Sequence, residues 1–215
     1  MFAGGLVGYL IGSLPSAYLL VKWKKHLDIR NEGSGNVGSL NSFLVTKSWL
    51  VGGLVLLFDV VKGALAVLIV SQVATGFIYL AAGGIGAILG HDFPVWLKFK
   101  GGRGLATSLG VLLMLNCWPV AAFWAVVWAI AYLFVRHVNM ANAIATAAVL
   151  IGVLLAPESV LRSIIPPDAS TIHFSFFVVL LAGLILIKHL DQIQMFIKGK
   201  GGSTRQGGDA AHAGE

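Results

Sequence analysis

Long apolar runs separated by short polar breaks set the pattern of this chain. Seven runs stand out, at 2–21, 49–70, 77–97, 105–118, 119–135, 140–156 and 172–187, each dominated by aliphatic, aromatic and small side chains. A helix needs about 20 mostly apolar residues to cross a bilayer, within a range of about 17–25. The runs therefore predict an all-α, polytopic membrane protein, a bundle of about seven transmembrane helices. The run at 105–118 is short and reads as a partial or tilted crossing. Five or six crossings are the alternative if short segments are re-entrant. The first run has neither a basic leading region nor a clear small-residue cleavage site, so it reads as a span rather than a signal peptide.

Composition agrees. Of 215 residues, 57% are apolar and 11% charged, against about 25% charged in soluble domains. The mean hydropathy of +0.87 leaves too few polar side chains to cover a water-exposed surface. A secreted disulfide scaffold is excluded as well, since the lone Cys117 cannot close an intrachain bridge. The net charge of +6 and pI near 9.6 would suggest nucleic acid in a soluble protein. In a membrane protein they describe basic loops facing anionic lipid, and no nucleic-acid partner is expected.

Those loops give an orientation. Lys22, Lys24, Lys25, Arg30 and Lys47 follow the first run, Lys98, Lys100 and Arg103 the third, Arg136 the fifth, and Lys188, Lys198, Lys200 and Arg205 the seventh. The alternate loops hold only Arg162, and Lys62 lies inside a run. Lys and Arg mark the cytoplasmic side. The N-terminus is then outside and the C-terminus inside, which needs an odd number of crossings. Residues 1–198 read as one membrane domain and the Gly-rich, polar 199–215 as a disordered cytoplasmic tail. The segment 157–170, with Pro166-Pro167, reads as a plain connector.

Two glycine-rich segments on the basic side carry the candidate chemistry. In Asn31-Glu32-Gly33-Ser34-Gly35-Asn36-Val37-Gly38-Ser39-Leu40-Asn41, the glycines match G-x-G-x-x-G. A dinucleotide site would need a preceding strand, which the flanks rule out. Glycines still let backbone N–H groups converge on an anion, with Ser34, Asn36 and Asn41 as added polar groups. A flexible turn is the plain alternative. In Lys100-Gly101-Gly102-Arg103-Gly104, two cations flank glycines just before a helix N-terminus, where phosphate is favoured.

His91, beside Asp92, sits at the edge of that segment and is a candidate for handling a proton. No second His or Cys stands at ligand spacing, so no metal is expected. Asp59 and Lys62 share a helix face inside the second run, as a neutralising pair or as support for the loops. Asn139 opens the helix after Arg136-His137-Val138 and reads as its N-cap.

Together these blocks resemble the bacterial acyl-phosphate-dependent glycerol-3-phosphate acyltransferases. The resemblance rests on Gly12-Ser13-Leu14-Pro15-Ser16, on Asn31-x-Gly33-Ser34-Gly35-Asn36-x-Gly38-x-x-Asn41, and on Asp59-x-x-Lys62-Gly63. It rests also on Gly90-His91-x-x-Pro94 with Phe99-Lys100-Gly101-Gly102-Arg103-Gly104-x-Ala106-Thr107. It implies a seven-span inner-membrane enzyme with its site facing the cytoplasm. Such an enzyme moves an acyl chain from acyl phosphate to the 1-hydroxyl of glycerol 3-phosphate, releasing lysophosphatidic acid and inorganic phosphate, with no cofactor.

On that footing, Ser34 and Asn36 with Gly33, Gly35, Gly38 and Asn41 hold the acyl phosphate. Lys100, Gly101, Gly102, Arg103, Gly104 and Thr107 hold glycerol 3-phosphate, with His189 of the C-terminal pattern. His91 orients or deprotonates the hydroxyl, or the donor's own phosphate serves as base; Ser34 as a nucleophile is the alternative. Alanine at Ser34 or Lys100 should abolish transfer. The enzyme that makes acyl phosphate is a further expected partner.

The chain also departs from the family pattern. Leu44 stands where an arginine is usual and Arg103 where a lysine is. Asn139 and Asn142 replace small hydroxyl residues, and Lys188-His189-Leu190-Asp191-Gln192-Ile193 varies an R-H-x-E-N-I pattern. Lys47 lies near enough in sequence to compensate for Leu44. A transporter of a phosphorylated or lipid substrate, or an inactive homologue, are the competing possibilities.

Overall fold

Residues 1–199, the part this computed structural model describes, fold as ten α-helices. They are α1 (Phe2–Gly12), α2 (Ser16–Lys25), α3 (Ser39–Thr46), α4 (Trp49–Ser71), α5 (Phe77–Asp92), α6 (Leu105–Met114), α7 (Trp118–Val135), α8 (Val138–Leu155), α9 (Glu158–Ile164) and α10 (Thr171–Ile197). Single 3-10 turns stand at Ile29–Asn31 and Val95–Leu97. Six segments are long and apolar enough to cross a membrane: α1 with α2, α4, α5 with the turn after it, α7, α8 and α10. The expected tail lies, apart from Gly199, outside the described residues.

The structure corrects several expected boundaries. The run at 105–118 yields only the ten-residue α6, which leaves six full-length spans beside one half-length apolar helix. The first run is broken at Ser13–Pro15, because Pro15 has no N–H to donate to the Ile11 carbonyl; α1 closes with the Ser13 N–H and Oγ both donating to the Tyr9 carbonyl. The third run leaves the α-helix at Phe93, just before Pro94. The connector at 157–170 contains α9. The last helix runs ten residues past the expected 187, since a polar stretch that continues a helical stripe still packs along its inner face.

Asn139 is not the N-cap of α8. His137 caps it, its Nδ1 accepting from the Met140 N–H at 3.3 Å. Ser48 and Ser170 cap α4 and α10 in the same way.

Helices inside a bilayer gain nothing from excluding water, so close backbone packing holds them together. Glycines make this possible along α1 and α5. A Cβ on Gly8 would lie 2.0 Å from the Gly83 carbonyl oxygen, and one on Gly12 2.0 Å from that of Ala87. Reciprocally, Cβ atoms on Gly86 and Gly90 would meet the carbonyl oxygens of Gly5 and Tyr9 at 2.1 Å. Gly63 and Gly110 bring α4 and α6 together by the same means. A core of Phe77, Ile88, Val111, Phe174, Phe177, Val178, Leu181 and Ile185 joins α5, α6 and α10. Gly86→Val should therefore destabilise the bundle by about 1–3 kcal/mol or more, seen as a lowered unfolding midpoint in detergent.

Candidate active site

The segment before α3 is built around one side chain. Asn41 is buried; its Oδ1 accepts from the Ser34 N–H at 3.1 Å, and its Nδ2 donates to the carbonyls of Glu32 and Asn36 at 3.1 and 3.0 Å. Gly33 and Gly35 take φ of +58° and +69°, which lets the chain close around that amide. A Cβ on Gly33 would strike Asn41 Oδ1. The loop thus leaves the Ser34 side chain exposed at its tip, with Asn36 half-buried beside it.

The intramembrane charges form a second cluster. Lys62 Nζ lies 2.9 Å from Asp59 Oδ1 and donates to the Leu14 carbonyl at 3.1 Å. Ser16 Oγ donates to Asp59 Oδ1 at 2.6 Å. The break between α1 and α2 supplies both the free carbonyl and the hydroxyl, so Gly12-Ser13-Leu14-Pro15-Ser16 serves the ion pair on α4. His91 Nδ1 lies 3.6 Å from the same carboxylate, too far for a hydrogen bond.

The segment 98–104 folds onto the end of α5. Gly102 N–H donates to the His91 carbonyl at 3.0 Å and Gly101 N–H to that of Asp92 at 3.2 Å. A Cβ on Gly102 would lie 2.0 Å from His91 Nε2, and one on Gly101 2.2 Å from the His91 carbonyl oxygen. These glycines make room for a histidine lying flat beneath the loop. Lys100, one residue earlier, is exposed.

Arg103, at the end of the same loop, turns inward. Its Nη1 donates to Asn139 Oδ1 at 2.5 Å, and Asn139 Nδ2 donates onward to Gln192 Oε1 at 3.0 Å. This chain ties the start of α6 to the start of α8 and to the C-terminal extension of α10. No carboxylate among the described residues reaches salt-bridge distance of the half-buried guanidinium. Burial pulls its pKa below the usual value and the more distant Asp191 pulls it back; arginine stays charged throughout. Guanidinium N–H groups without an acid partner suit an anion.

The three clusters border one cleft of about 220 Å³, lined among others by Ser34, Asn36, Gly38, Asn41, Asp59, His91, Arg103, Gly104, Asn139 and Asn142. Leu105 and Ala106 belong also to a neighbouring groove of about 290 Å³. That groove is apolar, running between α4, α6, α7, α8 and α10 past Leu56, Leu109, Leu112 and Trp124. A polar, cationic cleft and a mostly aliphatic slot thus adjoin at Leu105 and Ala106.

The glycerol-3-phosphate acyltransferase profile matches residues 2–199. The glycerol-3-phosphate acyltransferase of Bartonella henselae is 37% identical over 205 residues, covering 91% of this chain and 87% of the relative. That of Thermotoga petrophila is 32% identical over 195 residues, covering 90% and 91%. The crystal structure of PlsY (YgiH), an integral membrane glycerol 3-phosphate acyltransferase, in its glycerol 3-phosphate form, superposes with a TM-score of 0.75 at 30% identity, covering 93% of this chain and 92% of that one. This chain belongs to the glycerol-3-phosphate acyltransferase family. It is a multi-pass membrane enzyme that acylates glycerol 3-phosphate in phospholipid synthesis.

Within this family member, the sequence-expected residues divide. Ser34, Asn36, Gly38, Asn41, His91, Arg103 and Gly104 line the cleft, as does the intramembrane Asp59. Gly33, Gly35, Gly101, Gly102 and Lys62 shape its walls from behind. Lys100, Thr107 and His189 do not line it. Thr107 is buried a turn inside α6, and His189 is buried with Nδ1 2.8 Å from the Ile185 carbonyl. Leu44 lines the cleft as an apolar side chain, whereas Lys47 ends α3, exposed and off the lining. Exposed charges contribute little, so Lys100→Ala should change turnover by about threefold or less in steady-state assays.

Asn139, Asn142 and Gln192 were missed as cleft or support residues. The available signal was spacing: Asn139 and Asn142 stand three apart on α8 and share one face. Capping explained one of them too readily.

Proposed function

We propose that this family member takes its acyl group from acyl phosphate and passes it to the 1-hydroxyl of glycerol 3-phosphate at the cytoplasmic face of the inner membrane. The observation that carries this is the junction of a polar cleft holding one acid-free guanidinium with an aliphatic groove. An acyl phosphate needs both surfaces at once, a phosphate grip and a hydrocarbon slot. The groove's exposed Leu56 and Leu109 open it to lipid, so a chain dissolved in the bilayer can slide in from the side.

In this assignment Arg103, held by Asn139, grips the glycerol 3-phosphate. The 33–38 loop, with Ser34 and Asn36, holds the acyl phosphate. Acyl phosphate is a mixed anhydride whose phosphate is already a good leaving group. Positioning and charge stabilisation then suffice without a covalent intermediate. His91 and the departing phosphate are the two groups that can take the hydroxyl proton. The enzyme that makes acyl phosphate supplies the donor to the lipid-facing groove. The Lys- and Arg-rich loops support an orientation with the N-terminus outside and the C-terminus inside.

Purified protein given palmitoyl phosphate and glycerol 3-phosphate should release inorganic phosphate and lysophosphatidic acid in equal amounts. Acyl-CoA or acyl carrier protein in its place should give none. Product from either thioester, or none from palmitoyl phosphate, overturns the donor assignment. Label crossing a vesicle with no bond broken would make the protein a carrier.

A further inference from the structure

The face of α8 that borders the cleft carries Asn139, Asn142 and Thr146, spaced i, i+3, i+7 and so stacked along one side of the helix. Asn139 is occupied at the polar mouth by Arg103. Thr146 lines the apolar groove, where its hydroxyl accepts from Trp124 Nε1 at 3.0 Å and donates to the Asn142 carbonyl at 2.8 Å. Asn142 lies between them and lines the cleft.

Its orientation is fixed by chemistry. Trp128 Nε1 lies 2.7 Å from the carboxamide. An indole N–H can only donate, so the atom facing it must be Oδ1. Nδ2 therefore points the other way, and among the described residues it donates to nothing. Trp128 is itself held by stacking, with Tyr132 at 5.3 Å and an interplanar angle of 3°, and with Trp124 at 6.3 Å. A row of aromatic rings on α7 thus fixes the amide of a cleft-lining residue with its two N–H donors turned away from Trp128.

We infer that Asn142 donates to the acyl carbonyl oxygen of the donor and to the oxyanion that forms there, with Trp128 as its positioning residue. This rests on the acyl phosphate assignment above. In that donor the carbonyl carbon joins the phosphate to the alkyl chain, so it must sit where the cleft meets the groove. Asn142 is the free amide at that level of α8. In the reaction the acceptor hydroxyl oxygen attacks the carbonyl carbon, and the C=O electron pair moves onto oxygen, against Nδ2. Collapse restores the C=O and expels the phosphate with its C–O electron pair. The hydroxyl proton ends on the released phosphate, so an ester and hydrogen phosphate result. Removing one such preorganised donor typically costs about 10²–10³-fold in kcat.

The test uses the full chain in detergent, with palmitoyl phosphate labelled with 13C at the carbonyl. Asn142→Leu, similar in size but without donors, should lower kcat by about 10²-fold with KM for glycerol 3-phosphate unchanged. Trp128→Phe keeps the stack but frees the amide, and should lower kcat by about tenfold. With no acceptor present, the infrared band of the bound 13C carbonyl should lie lower in the wild type than in either variant, a change that loss of packing alone would not produce. Should Asn142→Leu fail to fold, Trp128→Phe gives the same two readouts. Unchanged kcat, or coincident carbonyl bands in variants that bind the donor, overturn the role of Asn142 and leave the donor assignment standing. A wild type that neither binds nor consumes palmitoyl phosphate overturns the donor assignment itself, and this role with it.

Discussion

Arg103→Ala lowers kcat/KM for glycerol 3-phosphate by about 10²–10³-fold, because hydrogen bonds to charged groups contribute about 1.5–3 kcal/mol each and the guanidinium offers at least two. Among the described residues, no other cation can take over in the cleft. Lys62 is committed to Asp59 and the Leu14 carbonyl. Lys100 stands outside, and Leu44 brings no charge to the lining. Arg103→Lys keeps a point charge and three donors but loses the planar fork that addresses Asn139 and a phosphate in fixed directions, so it should fall in between, at about a tenfold loss. Steady-state kinetics with the unfolding midpoint measured on the same samples checks this. An Ala variant with near-wild-type kcat/KM would move the phosphate site elsewhere.

Asn41→Ala has the other large effect, on both activity and order. The side chain makes three hydrogen bonds of 3.0–3.1 Å, to the Ser34 N–H and to the carbonyls of Glu32 and Asn36. Each group left without a partner costs about 1–3 kcal/mol. The segment has two left-handed glycines and Val37 as its one buried apolar anchor, so its closure depends on the amide. Transfer should drop by about 10³-fold. Hydrogen exchange at residues 31–38 should rise to that of an open loop. Asn41→Asp retains the acceptor for Ser34 but loses both donors and should rescue little. A variant that exchanges slowly and still turns over would show that the loop closes by other means.

Much of the bundle could be read from the apolar runs, since length and composition alone decide whether a segment can cross a bilayer. Where the reading failed, it failed at ends. The 105–118 run is mostly apolar past Met114, but the helix stops there, and the signal for that stop is local rather than compositional: Asn116 at φ +55°, with Pro119 beyond it. The extension of α10 was hidden for the opposite reason: Lys188, Asp191 and Gln192 look like a loop, yet they continue a helix whose inner face meets Asn139 and the Asp92 carbonyl.

The candidate site was legible where residue type dictates geometry. Gly33 and Gly35 do adopt the backbone only glycine takes easily, and Asp59 and Lys62 do pair on one helix face. It was illegible where long-range contact decides. Gly101 and Gly102 look like a phosphate cradle, but their missing side chains make room for His91. Asn139 looks like a cap, but its partner lies 36 residues away in sequence.

The shortness of α6 reaches beyond the bundle. Ten residues cover about 15 Å, half of a hydrocarbon layer about 30 Å thick. By itself α6 therefore bridges no more than half of such a layer, and its anchorage comes sideways from α4, which meets it backbone to backbone at Gly63 and Gly110.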